Sequence, residues 1–399
     1  NFLLLPFFLL FTILINSSFT VSMTPPNHPS LRSSVPPPSS IDDICTSIVN
    51  KLQDIIGTDA GGRGMKHLIV QGDLVEASRI LAKSQPTNDA NNDATVIILS
   101  GFPCCVQHTP PTETDGPPGA YALARACVLL GYRVVLVTED CNEAVFAAAM
   151  EGLDWIVDSD KGTRFELEVF PADSPTTTTT TFSEEDEKRL QSLLDRSHLL
   201  LSCERAGDAT NGICHTMRGI NMNEKGLIAS SLNRRFVEAA AADTNKSFLA
   251  IGDGGNELGM GKVLDRIKKH IPRGDLIGCA IPADYLIAAS VSNWGGYALA
   301  VGAAVMKAGM ECSNCHDNDD DDDNENENSV NTDLLKEKIR EWVERCVPTE
   351  QEEIDLLQRC VDKGCRDGVS GKVEATVDGM PLETSMKCLR DLRQAACLF

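Results

Sequence analysis

The chain has 399 residues and a formal net charge of −22, with 42% hydrophobic but only 5% aromatic residues. That length suits one large or two modest domains around an aliphatic core. The charge disfavours DNA, RNA and anionic membranes as partners, and no basic stripe or aromatic platform offsets it.

Residues 2–15 are nearly all apolar, broken by Pro6 and Thr12. That is too short for a membrane span and closer to the core of a signal peptide. The first residue is Asn1 and the first methionine Met23, so either the sequence is a fragment lacking its start or residues 1–22 are leader and the protein starts at Met23. The Pro/Ser-rich stretch Thr24–Ser40 is expected to be disordered, leaving residues 41–399 as one domain. Fifteen cysteines are scattered, several within apolar runs (Cys127, Cys203, Cys279), as in a chain with reduced thiols rather than a disulfide framework.

The periodicity predicts helices over 42–56 and 73–83, then alternating strands and helices. Strands are predicted at 95–99, 133–137, 155–157, 198–202, 247–251 and 275–280. Helices are predicted near 118–130, 142–151, 184–196, 225–242 and 259–270. This alternation gives an α/β fold, a mostly parallel sheet with helices on both faces. Residues 164–170 and 373–377 read as antiparallel edge strands. The threonine run Thr176–Thr181, within 173–182, and the Asp/Asn/Glu run Asp317–Asn328, within 312–330, read as low-complexity insertions. The second lacks the spacing of a calcium loop. Cys312-Ser-Asn-Cys-His316 matches a haem-attachment pattern, but nothing else in the chain reads as a haem protein. No P-loop, dinucleotide fingerprint or Gly-x-Ser-x-Gly elbow is present, so neither haem nor nucleotide is expected.

Carboxylates and glycines collect where the strands are predicted to end. These stretches are Glu113-Thr-Asp-Gly-Pro-Pro-Gly119, Glu204-Arg-Ala-Gly207, Gly252-Asp-Gly-Gly-Asn-Glu257 and Ile281-Pro-Ala-Asp284. Ligands of open α/β sheets bind at those ends, so one shared cleft is expected. Glycines allow close backbone approach, and Asp253 and Glu257 supply hard oxygens for a divalent cation, Mg²⁺ or Mn²⁺. The amides of the turn and of the helix after it suit an oxyanion. Asp115 can cap the helix begun by Pro118; Glu113 has no such structural use. Glu204 and Arg205 set an acid beside a base at a strand end. His215 is a candidate neutral base, and Arg218 can grip a carboxylate. Ser292-Asn-Trp-Gly-Gly-Tyr297 opens an Ala/Gly-rich helix that permits close packing, with Asn293 a natural cap and Trp294 either a cleft wall or core.

These segments, with Met217-Arg-Gly219, the longer run to Lys262, and Val377-Asp-Gly-Met-Pro381, resemble the C-terminal domain of the D-glutamate cyclase family over residues 45–395. The resemblance implies lyase chemistry: D-glutamate closes to 5-oxo-D-proline with loss of water. It also implies an organelle, such as the mitochondrion, or the cytoplasm if translation starts at Met23. Animal members carry an additional N-terminal domain, for which this chain is expected to have no room. On this reading Asp253, Glu257, Glu113 and Asp115 hold the cation. Gly254, Gly255, Asn256, Lys262 and Asn293 contact substrate, and Glu204, Arg205, His215 and Arg218 are catalytic. The same residues suit two alternatives: a metal-dependent phosphate-ester hydrolase, and a module that binds an acidic metabolite without turnover.

Overall fold

The computed structural model describes residues 40–83, 94–158, 162–175, 182–316 and 331–399. The leader, the threonine run and the acidic run lie outside the described residues. Residues 38–399 cluster as one compact unit.

Six strands form the sheet: β1 (Thr95–Gly101), β2 (Arg133–Glu139), β3 (Phe165–Phe170), β4 (Ser197–Arg205), β5 (Phe248–Gly252) and β6 (Tyr285–Ala288). Their spatial order is β3-β2-β1-β4-β5-β6, and every pairing is parallel. The order runs outward in both directions from the β1–β4 pair. The loops leaving those two strands therefore diverge and open a crevice, as at the switch point of any doubly wound sheet.

The strands are apolar on both sides, as a sheet covered on two faces requires. Val96, Ile98, Val134, Leu136, Leu201 and Ile251 face one core with helices α1 (Ile41–Ile56), α2 (Asp73–Ala82), α3 (Pro117–Leu129), α4 (Glu143–Met150), α9 (Ser292–His316), α10 (Thr332–Cys346), α11 (Glu350–Asp362) and α12 (Leu382–Cys397). Ile97, Leu99, Val135, Val137, Leu200 and Ala250 face the other, with α5 (Glu184–Arg196), α6 (Ser230–Ala241), α7 (Leu264–His270) and α8 (Gly274–Ile277). The α/β prediction with helices on both faces holds. Among the described residues no helix is long and apolar enough to cross a membrane.

Four local expectations are corrected. Residues 154–156 form a 3-10 turn, and 157–158 pairs antiparallel with 162–163 outside the main sheet, so the strand expected at 155–157 is not one of its strands. Residues 165–170 pair with β2 in parallel, since the connection from β2 crosses over through α4. Residues 275–280 are not a strand: Arg273 takes a left-handed backbone (φ 63°) and starts the single-turn α8. The strand comes later, at Tyr285–Ala288, so Pro282–Asp284 lies at its amino end, away from the crevice. Asp284 there accepts the Phe248 amide at the start of β5, 2.8 Å away. The carboxyl end of β6 instead leads through Ser290 to Ser292. Residues 376–377 pair only with 380–381, in a small antiparallel hairpin separate from the sheet.

Candidate active site

The crevice holds a cavity of about 240 Å³ lined by Arg63, Glu113, Glu204, Asp253, Glu257 and Asp378, with Asn256, Met217 and Arg218 at its walls. Asp115 lies beneath: one oxygen each of Asp115, Glu204 and Asp253 falls within 4.8 Å of the others.

Asp115 is held by an exchange of caps. Its carboxylate accepts the Ser292 and Asn293 amides at 2.8 Å each, so it caps α9 rather than α3. Asn293 returns the exchange, its Oδ1 accepting the Gly116 and Gly119 amides at 2.9 and 2.8 Å. Capping satisfies amides that a helix start leaves without partners. The two helix starts meet backbone to backbone: a Cβ on Gly119 would stand 2.8 Å from the Asn293 Cα, and one on Gly296 2.7 Å from the Gly119 carbonyl oxygen. Small residues at the start of α9 thus serve the close packing expected of them. Trp294 is buried and donates to Ser385 Oγ at 3.0 Å, a core placement.

Glu204 enters the cavity because β4 bulges. The β1–β4 register skips it, pairing Ser100 with Cys203 and Gly101 with Arg205, and Glu204 adopts φ 44°. A bulge re-aims side chains, and here it sends neighbours to different places. Glu204 accepts the Ser292 hydroxyl at 2.6 Å. Arg205 is fully buried away from the cavity, bidentate to Glu139 at 2.5 Å and bonded to Asn233 at 2.8 Å. It has no free donor facing a substrate carboxylate.

The glycine turn also differs from expectation. Glu257 accepts the Gly254 and Gly255 amides at 2.7 Å each, so the amides expected to cradle an oxyanion are spent on the turn's own acid. Lys262 pairs with Asp73 at 2.6 Å and with the Asp284 carbonyl, at the opposite end of the sheet. His215 is buried, and its carbonyl accepts from Asn256 Nδ2 at 2.7 Å; its ring is not among the cavity walls. Arg218 stands at the rim, donating to the Val369 carbonyl at 2.9 Å. Asn256 Oδ1 is buried without a hydrogen-bond partner.

Two functional side chains escaped the sequence reading. Arg63 reaches in from the loop after α1 and bridges Asp253 and Asp378, the latter at 2.7 Å. Its signal was the run Gly61-Gly-Arg-Gly64. Asp378 sits at the tip of the small hairpin with φ 55°, and its signal was the Asp-Gly pair already noted in the resemblance.

The carboxylates outnumber their counter-charges. Burial, then repulsion from Asp378, pushes Asp115 up to about 7. Burial also takes Asp253 to about 7, against the pull of Arg63. Burial, with neighbouring carboxylates adding, raises Glu113, Glu204 and Asp378 as well. Such a cluster takes up protons or a hard cation. Carboxylate oxygens that already accept one amide keep a further lone pair, so the Asp115–Glu204–Asp253 triad fits a divalent ion.

A doubly wound sheet with a buried acidic pocket at its switch point is the frame of a small-molecule enzyme or binding domain. Residues 52–393 match the family described as D-glutamate cyclase-like, C-terminal, and the chain belongs to that family. It is also 29% identical over 345 residues to human mitochondrial D-glutamate cyclase, covering 84% of this chain and 50% of that protein. The chain thus spans about half the length of this curated relative.

Proposed function

We propose that the cavity binds D-glutamate with a divalent cation and closes it to 5-oxo-D-proline, releasing water. The observation that carries this reading is the surplus of buried carboxylates around one bridging guanidinium. An anionic substrate enters such a pocket only if a cation or protons neutralise it first.

Asp115, Glu204 and Asp253 would hold the cation. When bound, it would neutralise the substrate γ-carboxylate and make it a better electrophile. Asn256 Oδ1 has acceptor capacity for the substrate ammonium. Glu113, buried at the wall with a raised pKa, is suited to take the ammonium proton. The freed amine then attacks Cδ, the carbon of the γ-carboxylate. A C–N bond forms, a C–O bond breaks, and the departing oxygen leaves as water with the proton returned by Glu113 and the second amine proton. Arg218 at the rim would meet the α-carboxylate. Holding one conformer supplies about 7–11 kcal/mol, so no nucleotide is needed. Purified protein incubated with D- and L-glutamate, with and without Mg²⁺ or Mn²⁺, should yield 5-oxoproline by mass spectrometry. No product under any condition removes the reading.

The spent glycine amides weaken the phosphate-ester alternative. Binding without turnover is the other alternative that the same cavity suits. A ligand-induced rise in melting temperature without product would favour it. The relative's mitochondrial name supports an organellar site for this chain as well.

A further inference from the structure

The loop between β1 and α3 carries two adjacent cysteines that neither the cation nor the substrate uses. Cys104 lines the cavity, and its sulfur packs against Gly368, where a Cβ would stand 3.2 Å away. Cys105 is its neighbour, and the two sulfurs share a hydrogen bond at 3.7 Å. The loop holds them together: the Cys105 amide donates to the Pro111 carbonyl at 3.0 Å, and the His108 amide returns to the Cys105 carbonyl at 2.9 Å. Two residues further along, the Glu113 amide ties the same loop to the Phe102 carbonyl, so the thiols and a cavity carboxylate share one short scaffold.

We propose that Cys104 and Cys105 form a redox-active dithiol at the cavity wall, which a small hydroperoxide converts reversibly to a disulfide between adjacent residues. The sulfurs must approach from 3.7 Å to a bond length of about 2.05 Å, a movement within reach of side-chain rotation and a small loop adjustment. Cys105 is the attacking sulfur. The hydrogen bond from Cys104 favours its thiolate, burial opposes this, and Arg366 and Arg218 add to the favourable side. The thiolate is the reactive form of cysteine. Attack on hydrogen peroxide gives a sulfenic acid on Cys105 and hydroxide. The Cys104 thiol then displaces the sulfenic oxygen, forming the S–S bond and releasing water. In sum, two thiols and one peroxide give one disulfide and two waters, with sulfur oxidised and peroxide oxygen reduced.

Adjacent Cα atoms stand about 3.8 Å apart, closer than the usual 4.4–6.8 Å of bridged pairs. The product is therefore strained, and strained disulfides are the readily reduced ones. Closure shifts a sulfur that packs against Gly368, whose carbonyl accepts from Arg218 at 3.5 Å. The switch thus acts on the wall of the proposed glutamate site, but its chemistry stands without that reading.

The test uses the full chain, reduced, freed of reductant and treated with one equivalent of hydrogen peroxide. Alkylation, digestion and mass spectrometry under non-reducing conditions should find the 104–105 peptide lighter by two hydrogens and blocked to alkylation, and dithiothreitol should restore both thiols. Phenylarsine oxide, a probe that bridges paired thiols, should protect the same two residues. In Cys105→Ser, and in Cys105→Ala should the first variant fold poorly, the paired loss should vanish. Full alkylation of both thiols after peroxide, or linkage of either to another cysteine such as Cys365, overturns the proposal. Glutamate turnover is not needed for any of these readouts, so failure of the cyclase reading would be seen separately.

Discussion

Glu204 and Arg205 are consecutive residues, both buried, and they end in opposite electrostatic situations. Arg205 meets Glu139 in a bidentate pair whose remaining capacity goes to Asn233, the Ser100 carbonyl and the Ala229 amide. Every charge there has its opposite within the chain. Glu204 turns into a pocket where Glu113, Asp115, Asp253, Glu257 and Asp378 face chiefly Arg63. The first arrangement is complete, so it holds β2, β4 and α6 together. The second is left unbalanced by the fold, and imbalance is what a ligand can relieve.

The largest effect expected from breaking this contrast is at the complete pair. Arg205→Met leaves Glu139 buried without its counter-charge and should cost about 3–5 kcal/mol of stability. Chemical denaturation checks this, and Arg205→Met/Glu139→Gln should recover much of the loss. A single variant as stable as wild type would mean the pair is not what joins these elements.

The unbalanced side should respond in the opposite way. Asp253→Asn removes a charge from the cluster, so stability without metal should hold or rise. Divalent-ion affinity should fall at least about tenfold, since even residues behind a metal ligand typically cost 10–100-fold. Titration calorimetry with Mn²⁺ measures the loss, and unchanged affinity removes Asp253 from the cation site.

The two regions were not equally legible in the sequence. The sheet was, because aliphatic runs such as Val96–Leu99 and Val134–Val137 can sit only between two helix layers. The exceptions were β3, read as antiparallel, and β6: the apolar Leu276 and Ile277 imitate a strand, while the left-handed Arg273 that turns them into α8 has no sequence marker. The acidic ends of β1, β4 and β5 were legible as a site. Their division of labour was not. Charge type alone does not say that Asp115 caps a helix nearly two hundred residues away, that a bulge parts Glu204 from Arg205, or that Glu257 consumes its own turn's amides. Arg63 and Asp378 went unread because each sits in a glycine turn that looks complete as a turn.

The pH dependence sharpens the comparison at moderate amplitude. Asp115 and Asp253 rise from an ordinary 3.8 to about 7 in the folded protein. The folded state therefore holds more protons than the unfolded chain between those values, so stability falls as pH rises from about 4 to 7. Saturating Mn²⁺ should flatten that fall, because the ion replaces the protons. Melting temperatures across this range, with and without the ion, give the comparison. A metal-free curve that rises over the same interval would place the excess charge outside the folded cluster.

The smallest effect belongs to Lys262, a long-motif residue that the fold puts at the wrong end of the sheet. Its side chain is 28% exposed and pairs with Asp73, so Lys262→Met should cost about 1 kcal/mol or less, the worth of a partly solvated pair. Some of that would come from Asp73, whose carboxylate also accepts the Leu286 amide at 2.7 Å and keeps that bond. Cation affinity and any turnover on glutamate should be unchanged. A Lys262→Met protein that folds with normal stability yet loses cation binding or turnover would mean that this edge of β6 communicates with the cavity. The line drawn between scaffold charges and site charges would then have to include the edge among the latter.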